Sequence, residues 1–72
     1  MLKIKTDRIE LSKARIMAGY TVSELSDKVG CSRKNLYAIE SGKTIPRPSL
    51  AKEIIEILNI KFESVFSLVD GD

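Results

Sequence analysis

"TVSELSDKVGCSRKNLYAIESG", from Thr21 to Gly42, decides how this 72-residue chain is organised. Thr21 to Glu24 has the form of a capping box: the Thr21 hydroxyl accepts from the Glu24 amide, and the Glu24 carboxylate accepts from the Thr21 amide. The helix opened there is expected to run to about Val29, with Leu25 and Val29 four apart on its inner face. Gly30 ends it where the chain must reverse sharply, most cheaply with positive φ. Ser32 then caps a second short helix reaching about Ser41, and Gly42 stops it. Ser26 falls where the two helices approach, and a large side chain there would push them apart. Leu36 and Ile39, three apart, give the second helix its apolar side. At about 100° per residue, Arg33, Lys34, Tyr37, Ala38 and Ser41 collect on the opposite side.

On the N-terminal side, "DRIELSKARIMA" predicts a helix from about Asp7 to Ala18, stopped by Gly19, with Leu11, Ala14 and Ala18 as its buried stripe. Before it, "LKIKT" (Leu2 to Thr6) alternates with the period of a short strand, and a frayed end fits equally. On the C-terminal side, "KTIPRP" reads as a loop, because Pro46 and Pro48 lack amide donors and bias their predecessors toward extended geometry. Ser49 is expected to cap a fourth helix carrying Leu50, Ile54, Ile57 and Leu58, with Asn59 as its left-handed stop. "KFESVF" predicts a single-turn fifth helix, and "SLV" is a candidate strand beside "LKIKT". The fold class expected is all-α, a compact five-helix bundle to which an N-/C-terminal β-ribbon is added if those two segments pair. A single domain over residues 1–72 is expected, without linkers or repeats.

Composition narrows the function. Hydrophobic residues make up 43% and charged residues 31%, a globular balance. No apolar run approaches the roughly 20 residues needed to span a bilayer, and the charged start does not read as a signal peptide. The chain has one Cys and no His. The usual ligands for zinc and the usual Ser-His and Cys-His pairs are therefore missing, so neither enzyme, metal nor cofactor is expected. A small-molecule ligand is not indicated either, and a cytoplasmic location is expected. The net charge of +2 conceals a gradient. Residues 1–47 hold ten Lys/Arg against five Asp/Glu, and residues 48–72 hold two against five. Basic surface gathered in one part of a chain suits a polyanionic partner.

Two short helices joined by a glycine-containing turn of about three residues form a helix-turn-helix, whose second helix enters the DNA major groove. Arg33 and Lys34 lie at that helix's N-terminal end, where the helix dipole favours phosphates. The wider stretch "YTVSELSDKVGCSRKNLYAIESGKTIPRPSL", with "IIEILNIKFESVF" behind it, resembles the Cro/CI-type helix-turn-helix family of phage repressors and bacterial regulators. The likeness spans roughly Leu11 to Phe66, with the motif itself at about 21–41. The resemblance implies a five-helix bundle that binds double-stranded DNA as a transcriptional regulator, repressor-like and homodimeric. It implies base contacts at Arg33, Lys34, Tyr37 and Ala38. It implies phosphate contacts at Thr21, Val22, Ser32, Ser41, Lys43, Thr44 and Arg47, and an internal ion pair between Arg15 and Glu40. One departure stands out: the family commonly has Gln opening the second helix, where this chain has Val22, leaving only the backbone amide for phosphate.

Blander readings stand beside these. Arg33 and Lys34 taken alone are a solvated helix face, and Arg15–Glu40 taken alone is a surface pair. Cys31 reads as a small buried hydrophobe before it reads as a redox sensor. Phe62 and Phe66 are core residues or part of a dimer surface. The competing function is a protein-interaction module, such as an antitoxin-type partner, that keeps the fold with DNA binding secondary. An acidic or apolar reading face would favour it, and Arg33, Lys34, Lys43 and Arg47 argue against it.

Overall fold

The alternation in "LKIKT" reaches its partner at the other end of the chain. In the computed structural model, which describes residues 1–71, β1 (Leu2–Thr6) pairs antiparallel with β2 (Phe66–Asp70). The register runs from Leu2 opposite Asp70 to Thr6 opposite Phe66. One face of this ribbon carries Ile4 and Phe66, exposed by only 6% and 3%. The opposite face carries Lys3 and Lys5. The fold is therefore not purely all-α: five helices stand against a regular two-stranded sheet. The expected strand at "SLV" is longer than foreseen and begins at Phe66, directly at the end of the fifth helix.

Between the strands lie α1 (Arg8–Met17), α2 (Val22–Val29), α3 (Arg33–Glu40), α4 (Pro48–Leu58) and α5 (Phe62–Val65). The capping chemistry accounts for their starts. Asp7 accepts from the Glu10 amide at 3.2 Å, both halves of the Thr21–Glu24 box form, and Ser32 Oγ accepts from the Asn35 amide at 3.0 Å. Gly30 closes α2 with φ +76°, and Asn59 closes α4 with φ +56°. Two expectations at helix ends give way. Arg47, not Ser49, occupies the N-cap of α4, because Pro48 already has the fixed φ of a first helical residue and needs no amide partner. Ala18 is the exposed C-cap of α1, not part of its buried stripe, which rests on Leu11 with Ala14 half-buried.

Leu11, Leu25, Leu36, Ile39 and Ile54 bring four helices to one centre, each with no measurable exposure. Leu58, Val65 and Phe66 extend this core under the ribbon. Phe66 is buried and Phe62 half-buried, with ring centroids 5.2 Å apart. Burial of a large apolar side chain contributes roughly 1.5–3 kcal/mol, so α2 and α3, each only eight residues long, are held by their inner faces and not by intrinsic propensity.

Candidate nucleic-acid interface

The geometry of α3 starts from the residues that pin it down. Leu36, Ile39 and Glu40 are buried, while Arg33, Lys34 and Asn35 are exposed and Tyr37 is 58% exposed. Ala38 is half-buried beside them. The helix therefore presents two cations and a phenol along one side, near its N-terminal end, with the exposed Asn35 amide at the edge of that side. Asn35 belongs to this surface too. It sits at the rim of the helical projection, and its side chain was singled out in no role from the sequence.

Glu40 is the anchor beneath that surface. Arg15 Nε donates to Glu40 Oε2 at 2.8 Å, and Ser12 Oγ donates to Oε1 at 2.9 Å. Arg15 also donates through Nη1 to the Tyr20 carbonyl at 2.8 Å, tying α1, the α1–α2 turn and α3 together. The two side chains are 13% and 7% exposed, so the pair lies inside the protein and not on its surface. Ser12 and the Tyr20 carbonyl were missed in the sequence. Ser12 stands one turn before Arg15 on the same helix, a spacing that would have pointed to it.

The polar groups at the helix ends differ in what they have left to offer. The Ser32 hydroxyl accepts within its cap, and its hydrogen is uncommitted. Thr21 is more occupied: its amide, and then its hydroxyl, hydrogen-bond Glu24 and hold that carboxyl below its ordinary value of 4.5. A carboxylate therefore stands beside Thr21. The Val22 side chain is buried in the core, which explains an apolar residue there, and its amide is one of the first-turn donors of α2 without an intrahelical acceptor. In the loop, the amides of Ser41, Gly42, Lys43 and Thr44 all donate to carbonyls of α3, and Ser41 Oγ donates to the Ala38 carbonyl at 3.1 Å. What the loop presents outward is side chains, with Lys43, Thr44 and Arg47 all exposed. Cys31 is half-buried against the core, and burial pushes its thiol up, away from the reactive thiolate.

Two capped helices set at a glycine turn, with the second held by one face and open on the other, define the helix-turn-helix class. A family profile described as "Helix-turn-helix" matches residues 11–65, and the chain belongs to that family, of the Cro/CI type that its sequence resembles. It is 33% identical over 63 residues to an uncharacterized HTH-type transcriptional regulator of Methanocaldococcus jannaschii, covering 88% of this chain and 96% of that one. It is 34% identical over 59 residues to the uncharacterized HTH-type transcriptional regulator YgzD of Bacillus subtilis, covering 82% and 89%. A third such regulator, from Archaeoglobus fulgidus, is 33% identical over 65 residues, covering 90% and 93%. No solved structure matches significantly. The family is not an enzymatic one, and no helix among the described residues is long and apolar enough to cross a membrane.

Proposed function

We propose that the protein is a sequence-specific regulator of transcription, repressor-like, that inserts α3 into the major groove of double-stranded DNA and acts in the cytoplasm as a homodimer. The observation that carries this reading is the division of α3 into a core-anchored side and an outward side bearing Arg33, Lys34, Tyr37 and Ala38. A cation there can meet guanine O6 and N7, and the Tyr37 ring offers a phenol and an apolar face to bases. Lys43, Thr44 and Arg47 contact phosphates through their side chains, and Ser32 through its free hydroxyl hydrogen. Val22 contributes its amide. Thr21 and Ser41 are weaker members of this set, since each already spends its hydroxyl inside the protein.

A single reading helix spans only a few base pairs. Two related by a two-fold axis would read half-sites about one DNA turn, roughly 34 Å, apart. The ribbon and the adjoining α4 with its leading loop offer the surface for pairing: exposed Leu2 and Leu68 line a 650 Å³ groove together with Ile45, Ile55 and Phe62. Selection of bound duplexes from a random DNA pool tests the reading. The expected result is an enriched, two-fold symmetric motif. A pool that stays random through successive rounds would instead favour the protein-interaction module.

A further inference from the structure

The DNA-reading face accounts for only part of the basic half of the chain. Lys3, Lys5 and Arg8 belong to none of the contacts described so far, yet the fold brings them to its border. A cleft of 490 Å³ between β1 and the loop after α3 is lined by these three cations together with Ser41, Gly42 and Thr44. No acidic residue lines it. The stem of Arg8 lies under the loop: a Cβ placed on Gly42 would meet Arg8 Cδ at 3.8 Å. Nearby acids are already engaged. Asp7 turns its carboxylate to the Glu10 amide, and Asp70 takes the N-terminal ammonium at 3.0 Å. Among the described residues Lys3, Lys5 and Arg8 form no ion pair.

The geometry points to a second phosphate site: Lys3, Lys5 and Arg8 hold the phosphodiester backbone of DNA just beyond the stretch gripped by Lys43, Thr44 and Arg47. This rests on the DNA-binding reading above and extends its footprint from α3 and its loop onto the ribbon. DNA is the occupant because the cleft shares Ser41, Gly42 and Thr44 with the loop that follows the reading helix, so one strand of backbone can run from one to the other. Alternating Lys3 and Lys5 stand on the same face of a strand, two residues and therefore about 6.6–6.8 Å apart, close to the spacing of successive phosphates along a strand. The site carries affinity and no sequence preference, since it reaches only the backbone.

The test compares the full chain with the triple variant Lys3→Gln, Lys5→Gln, Arg8→Gln, the single variant Lys5→Gln and the control Lys61→Gln. Lys61 is exposed at the N-cap of α5 and lines no part of the cleft. Each is titrated over a range of salt on the selected duplex with long flanks and on the same duplex trimmed to the base-read segment. Each neutralised phosphate contributes about −0.9 to the slope of log affinity against log salt. The triple variant should lose about two to three units of slope on the long duplex, and Lys5→Gln about one. Lys61→Gln should keep the wild-type slope. The ratio of affinities for selected and scrambled DNA should stay unchanged in all of them. On the trimmed duplex the wild-type slope should fall to that of the triple variant. A triple variant with the wild-type slope, or one no different from Lys61→Gln, overturns the second site while leaving the α3 reading intact. A wild-type protein with no salt-dependent binding to any duplex overturns both.

Discussion

Glu40 is a carboxylate almost wholly removed from water, and two donors from α1 make that tolerable. Arg15 supplies the opposite charge and Ser12 the second hydrogen bond. Removing one member of such a pair leaves an uncompensated charge inside, whereas removing both leaves only a packing problem. Arg15→Ala should therefore cost about 3 kcal/mol by urea unfolding, and Arg15→Met combined with Glu40→Leu should cost clearly less. An Arg15→Ala protein as stable as the parent would mean that the pair contributes nothing to holding α3. Glu24 is the contrasting case, a carboxylate in water. The Thr21 hydrogen bonds lower its folded value below 4.5, so its contribution to stability is complete above that pH and fades as pH falls through the lowered folded value. Replacing Glu24 with Gln should lower the neutral plateau of the melting-temperature profile, flatten the acid limb and leave the melting temperature at low pH nearly unchanged. An acid limb identical in the two proteins would assign it to other carboxylates.

At the scale of elements, the α2–α3 turn is where a single backbone choice fixes the angle of the reading helix. Gly30 has φ +76°, and open space surrounds the position a Cβ would take. Gly30→Ala should thus cost only the left-handed backbone penalty, about 1–2 kcal/mol, while Gly30→Asn should cost less. Chemical denaturation of the two variants checks this, and equal losses would point to a steric cause. The turn also shows what the sequence makes legible. Caps, stops and the inward residues of α2 and α3 follow from neighbours within four positions, and Thr21, Gly30, Ser32, Leu36 and Ile39 carry that information locally. The pairing of β1 with β2 depends on residues 60 to 68 positions apart, so the alternation of "LKIKT" left a strand and a frayed end equally open. Ser49 misled because its side chain suits a cap, while the fixed φ of Pro48 moved the N-cap two residues earlier, to Arg47. For the candidate site, the polar side of α3 was readable from helical projection. The committed hydroxyl of Ser41 was not, because it depends on which acceptor the folded chain brings close, and Ser12 was traceable only through its one-turn spacing from Arg15.

For the molecule as a whole, the charge gradient acquires a physical arrangement: Lys3, Lys5, Arg33, Lys34, Lys43 and Arg47, half of the twelve Lys/Arg, lie on β1, α3 and its loop, while Glu53, Glu56, Glu63 and Asp70 lie on α4, α5 and β2. The same ribbon leaves Leu2 and Leu68 in water at 66% and 57% exposure, a cost that pairing with a second copy would remove. Leu2→Ser combined with Leu68→Ser should convert a dimer to a monomer by sedimentation with little change in the unfolding of the monomer. Unchanged sedimentation of a dimer would move the interface elsewhere. Titrating Lys34→Ala and Lys43→Ala against the selected duplex and a scrambled one distinguishes an α3 that reads sequence from a loop that only grips. A base contact discriminates by roughly 1–3 kcal/mol, so Lys34→Ala should weaken the selected duplex far more than the scrambled one. Lys43→Ala should weaken both about equally and lower the salt slope by about one unit. If Lys34→Ala instead reduced both affinities by the same factor, Lys34 would not be reading bases, and α3 would not read sequence through the residue in the middle of its outward face.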